Sequence, residues 1–227
     1  MSNAHILMQI SCPKEALFLE SGAIPIGILI KSRRINYLNY LVKENEDSML
    51  SKFFHAQWNN EVKHDWTSQI RSDLDDFGIP WDLDYIRSRS RDSFKRLVKV
   101  KALDFALSEL NSMKTKHSKL EKLVYTKLEL QSYLKSSEMN PQEAKQIFSF
   151  RVRMASFSEN FRGVTGPKMC QLCQTHLDNQ QMAFSCPEIL PYLNKKGKYE
   201  NIFQNEILKE TIGNVTLISK LRENKIQ

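Results

Sequence analysis

Apolar residues recur at intervals of three and four along most of this chain, a spacing that predicts helices packed on one face. Between Ile26 and Lys43 the apolar positions are Ile28, Leu29, Ile35, Leu38 and Leu41 or Val42. Asp47 reads as the cap of the next helix, on which Met49, Leu50, Phe53, Phe54 and Trp58 form a dense apolar stripe. Trp66, Ile70, Leu74 and Phe77 repeat the pattern until Gly78 and then Pro80 stop it. A stripe at this spacing is what burial alone predicts, so these aromatics are assigned to the interior. From Ser90 a long amphipathic helix is expected, with Phe94, Leu97, Val98, Ala102 and Phe105 inward. Ser118-Lys-Leu-Glu121 reads as a capping box opening a helix through Leu120, Leu123, Val124, Leu128 and Tyr133 or Leu134. Asn140-Pro-Gln-Glu143 is a second box, with proline at the first helical position. Its helix carries Ala144, Ile147, Phe148 and Val152 and is expected to end near Phe157.

These elements predict a mainly α fold. We expect a multi-helix bundle over residues 1–160, a small zinc-knuckle module over 161–192, and a tail over 193–227 ending in a short C-terminal helix. With only seven Gly and seven Pro in 227 residues, a sandwich of many tightly turned strands is disfavoured. The apolar run Ile24–Ile30 is too short to cross a bilayer, carries Pro25 and Gly27, and leads straight into Lys31-Ser-Arg-Arg34. No membrane partner and no secretory signal are expected.

Charge sharpens the picture. A formal net charge of +7 suits a polyanionic partner. Seven basic residues lie between Arg87 and Lys101 (Arg87, Arg89, Arg91, Lys95, Arg96, Lys99, Lys101) against one acid, Asp92. Such a run is either a solvated helix face or a ridge that tracks phosphates and releases their counterions. Asp75-Asp76 sits in a helical pattern with no strand hairpin around it, so it reads as an acidic helix face and not as a polymerase metal pair.

Three of the four cysteines fall in one stretch, Cys170-x-x-Cys173 and Cys186, with His176 between them. Cys-x-x-Cys lets two thiolates reach one metal from a tight turn, and clustered thiols beside a histidine point to zinc in a reducing, nuclear or cytoplasmic compartment. Cys170, Cys173, His176 and Cys186 are therefore the candidate ligands, with a water or an outside residue as alternatives to His176 in the fourth position. Cys12 reads as a buried structural thiol. Catalysis leaves no comparable trace: there is no Gly-rich phosphate loop, no Gly-x-Ser-x-Gly elbow, no His-Glu-x-x-His and no His-x-Glu upstream of the cysteines. His55, His64 and His117 stand alone. No enzymatic activity is expected.

Several segments taken in order resemble a known family. They are Ile24-Pro-Ile-Gly-Ile-Leu-Ile-Lys-Ser-Arg-Arg34, Lys52-Phe-Phe-His-Ala-Gln-Trp58, Val62-Lys-His-Asp-Trp66, Phe150-Arg-Val-Arg-Met-Ala155, Asn160-Phe-Arg-Gly163 and the cysteine knuckle. Together they are similar to the region that follows the polymerase palm in LINE-type (non-LTR) retrotransposon Pol polyproteins. The resemblance covers roughly residues 9 to 190. It implies thumb-like and linker helices and a zinc knuckle of a reverse transcriptase, gripping template RNA or target DNA, with the rest of the polyprotein as partner. The palm aspartates are absent, so reverse transcription is implied for the parent alone. The family knuckle often carries its histidine where this chain has Met182, a poor zinc ligand, which shifts the fourth position toward His176. On this reading Arg33, Arg34, Arg87, Arg89, Arg91, Lys95, Arg96, Lys99, Arg151, Arg153, Arg162 and Lys168 contact nucleic acid. The competing reading is a helical protein-interaction scaffold with a structural zinc site, whose basic faces only solvate.

Overall fold

The structure, a computed structural model, describes residues 12–60, 65–137, 139–160 and 168–226. Among these the fold is mainly helical, with α1 (Lys14–Ser21), α2 (Ile26–Val42), α3 (Met49–Asn59), α4 (Trp66–Asp76), α5 (Leu83–Ser88), α6 (Arg91–Lys114), α7 (Ser132–Lys135), α8 (Pro141–Arg151), α9 (Gln180–Ala183) and α10 (Lys209–Ile226). No described helix is long and apolar enough to cross a membrane. The chain forms two compact units, one over 24–109 and the other joining the segment up to Ala23 with Leu110 onward. Residues 110–160, the cysteine segment and the tail thus share one unit, where the sequence analysis divides them at 160 and 192.

In the 24–109 unit, α2 packs against α3, α4 and α5. Ile35, Leu38, Ile70, Leu74, Phe94 and Val98 are fully buried there, at the helical spacing read from the sequence, and Ile86 of α5 joins them. Local signals set the helix ends. Ser48, not the expected Asp47, caps α3 by accepting the Ser51 amide at 3.1 Å. Asp65 caps α4 through the Ser68 amide at 2.7 Å. Gly78 follows α4 at φ 58°, and the Ile79 amide closes back on the Leu74 carbonyl at 2.9 Å. Ser90 accepts the Ser93 amide at the start of α6. The α3 stripe is only half internal: Phe54 and Trp58 are buried, while Met49 and Phe53 stay 84% and 62% exposed. The acidic helix face is also partly engaged, because Asp76 pairs with Lys31 and Asp75 accepts the Trp81 indole at 2.8 Å.

The second unit packs α8 against α10, and both against a 3-10 turn at Tyr199–Phe203. Asn140 and Glu143 form the expected capping box, with Pro141 opening α8. Three expectations fail here. The box at Ser118 yields a 3-10 turn over Ser118–Leu120 and not a long helix. Leu120, Leu123, Tyr125 and Leu128 are all buried while Val124 is 62% exposed, so the segment is held by side chains reaching inward from an irregular backbone. Helix α8 ends at Arg151, short of Phe157, because Arg153 takes φ 53° and the amides of Met154 and Ala155 both turn back to the Ser149 carbonyl. The C-terminal helix is 18 residues long, longer than expected, and buries Val215 and Ile218.

Candidate metal centre and cationic surface

Residues 168–178 fold back on themselves. The Asp178 amide donates to the Lys168 carbonyl at 2.7 Å, the Cys170 amide to the His176 carbonyl at 2.6 Å, and Met169 and Leu177 form an isolated antiparallel bridge. Gln174 closes the turn at φ 58°, with its amide on the Cys170 carbonyl. This knuckle turns Cys170 and Cys173 the same way. Asn179 caps α9 through the Met182 amide, and that helix brings Cys186 back to them. The three sulfur atoms lie within 4.8 Å of one another, and Cys170 and Cys186 are 3.9 Å apart. Ligands 2.3 Å from a tetrahedral zinc sit about 3.8 Å from each other, so the spacing is compatible with a metal such as zinc.

The surroundings act oppositely on two of these sulfurs. At Cys173 desolvation pushes the thiol up, but the Thr175 hydroxyl and the Thr175 and His176 amides outweigh it, and the thiol titrates at about 6. Burial pushes Cys186 up to about 11 against the Glu188 amide, which favours its thiolate, with the neighbouring sulfurs adding to the rise. Three thiols this close repel one another once ionised, which is the situation a divalent cation relieves.

His176 is not brought into this group. The group gathered among the described residues is the three thiols, and the His176 carbonyl accepts the Cys170 amide. Cys12 is half-buried and lies outside the cluster. Two residues that sequence reasoning missed hold the knuckle in place. Asp178 accepts the Ser158 amide at 2.9 Å and the Arg222 guanidinium at 2.7 Å, and that guanidinium lies 4.1 Å over the Phe157 ring. The pair spans 44 positions, and no local motif marks it.

The candidate cations separate into kinds. Arg151, expected to touch phosphate, is fully buried. Its Nε donates to Glu20 at 2.7 Å and its Nη1 to the Gln204 carbonyl at 2.7 Å, while the Tyr125 and Tyr133 hydroxyls also donate to Glu20. Burial works against the arginine charge, and the Glu20 carboxylate outweighs it, leaving Arg151 more firmly protonated than usual. Burial, then the Glu20 charge, holds both phenols well above their ordinary range. Arg34 forks onto buried Asp73 at 2.6 and 2.9 Å, so it too is structural. Arg153 faces Glu159 at 3.5 Å, and Arg87 donates to the Val42 carbonyl at 3.1 Å with Glu46 nearby. Arg89 lies 4.5 Å over the Tyr85 ring. Lys168 is exposed; Arg162 lies outside the described residues.

What is left is a continuous band within the 24–109 unit. Arg33, Tyr40, Arg91 and Lys95 line one open depression; Asp92, Lys95, Arg96 and Lys99 line the next, so Lys95 joins them. Arg91, Lys95 and Lys99 stand four residues apart on one face of α6, an arrangement that costs an isolated helix about 0.2–0.5 kcal/mol per like-charged pair. No acidic side chain among the described residues pairs with Arg33, Lys95, Arg96 or Lys99. No family model, no curated protein and no solved structure matches this chain.

Proposed function

We propose that this chain binds RNA or DNA through the cationic band of α6, as the post-palm region of a LINE-type retrotransposon Pol polyprotein does, without a catalytic site of its own. The observation that carries the reading is the row Arg33, Arg91, Lys95, Arg96 and Lys99 along two adjoining depressions, interrupted only by Asp92. Unpaired cations side by side repel one another, and a polyphosphate chain relieves that repulsion while releasing its counterions. In the same reading Cys170, Cys173 and Cys186 hold a zinc ion with one further donor, in a reducing nuclear or cytoplasmic setting. That ion supplies structure and no chemistry: it ties the 168–178 turn to α9 and fixes the knuckle beside Arg222. The rest of the polyprotein is the natural partner.

Charge reversal tests the band. Lys95→Glu with Lys99→Glu is expected to weaken binding to a labelled RNA or DNA oligonucleotide and to flatten the salt slope by about one unit per lost phosphate contact. Unaltered affinity and slope would rule the band out. A helical protein-interaction scaffold is the second reading, favoured by the exposed Met49 and Phe53 on α3. It gains ground if the wild-type chain binds no nucleic acid at low salt.

A further inference from the structure

The cationic band runs past a set of flat side chains. Tyr37 and Tyr40, three residues apart on α2, stack with centroids 5.8 Å apart and planes 15° from parallel. Both tyrosines are exposed, at 47% and 38%. The Arg91 guanidinium lies 5.3 Å over Tyr40, and Tyr40 lines the same depression as Arg33 and Lys95. The platform is braced from below: Trp66 meets Tyr37 edge-on at 6.0 Å and meets buried Phe54 at 6.4 Å.

From this geometry we infer that the band takes single-stranded nucleic acid, whose unpaired bases extend the stack of Tyr37, Tyr40 and the Arg91 guanidinium while its phosphates follow Arg33, Lys95 and Lys99. A duplex keeps its bases stacked on one another and offers this platform only phosphates. A single strand offers both, because every base has a flat face and stacking on an aromatic ring is tolerant of sequence. The inference rests on the nucleic-acid reading above and adds strand form to it.

The experiment compares a short single-stranded oligonucleotide with its blunt duplex by fluorescence anisotropy. It uses the wild-type chain, Tyr37→Ala with Tyr40→Ala, Tyr37→Phe with Tyr40→Phe, and Lys95→Glu with Lys99→Glu. Wild type is expected to prefer the single strand. The alanine pair is expected to lose about tenfold or more on the single strand, as base–ring stacking is lost, while duplex affinity and the salt slope stay put. The phenylalanine pair is expected to retain binding, since only the ring is needed, and circular dichroism on all variants checks that the helices persist. Equal losses on both strand forms, or none on the single strand, overturn this inference. If the glutamate pair still weakens binding in that case, the broader reading stands; if wild type binds neither form, both fall.

Discussion

The same residue type meets opposite fates in the two units. In the 24–109 unit, Arg91, Lys95, Arg96 and Lys99 ride the outside of α6 with no acid to pair with among the described residues. In the other unit, Arg151 at the end of α8 is sealed in with Glu20, Tyr125 and Tyr133. Both stretches look like basic positions on amphipathic helices. What separates them is a carboxylate far away in sequence: Glu20 lies 131 positions from Arg151. Basic patterning therefore nominates surface and core alike, and only the presence of a distant partner sorts them. The α6 cations are left to solvent, while Arg151 is spent on an internal carboxylate.

Four perturbations press on this contrast, from the largest effect down. Cys170→Ser is expected to abolish binding of one zinc per chain and to unfold the knuckle, since structural zinc in small modules contributes on the order of 10 kcal/mol. Metal analysis with a thermal scan checks this, and equal zinc content in mutant and wild type would contradict it. Arg151→Ala leaves Glu20 charged and buried, and is expected to cost about 3–5 kcal/mol in urea denaturation; a neutral result would place Arg151 with the surface cations. Alkaline pH acts on the same cluster. Both phenols stay protonated in the folded chain above the pH at which unfolded tyrosines ionise, about 10. Stability from this source is thus complete below that pH and falls as the pH rises through it. Tyr133→Phe is expected to make that decline in melting temperature shallower, and identical pH profiles would argue against it. Smallest of all, Lys95→Ala is expected to change stability by no more than about 0.5 kcal/mol, because nothing folded depends on it.

Much of the fold was legible where signals are local. The α8 box at Asn140, the stop at Gly78 and the buried faces of α2, α4 and α6 follow from spacing and capping alone. The Ser118 box opens only a 3-10 turn: Leu120, Leu123 and Leu128 are buried from an irregular backbone and the Tyr125 hydroxyl donates to distant Glu20, anchoring that no local helix signal reveals. At the candidate metal centre the three cysteines could be read from their spacing, as thiols rarely cluster without a reason. His176 was nominated by proximity in sequence, and the group that the knuckle brings together is the three thiols without its imidazole. Arg151 and Arg34 were nominated by charge, and their acids Glu20 and Asp73 gave no sequence hint of the pairing. The Asp178–Arg222 brace was invisible for the same reason.

The central claim is that unpaired cations on α6 exist to meet phosphates, and a salt titration of binding tests it most directly. For wild type, the logarithm of affinity for a single-stranded oligonucleotide should fall linearly with the logarithm of salt concentration, by about 0.7 for each phosphate contacted. Lys95→Glu with Lys99→Glu should give a shallower line lying below it at low salt. Two superimposable lines, or no binding by the wild-type chain at low salt, would contradict the account.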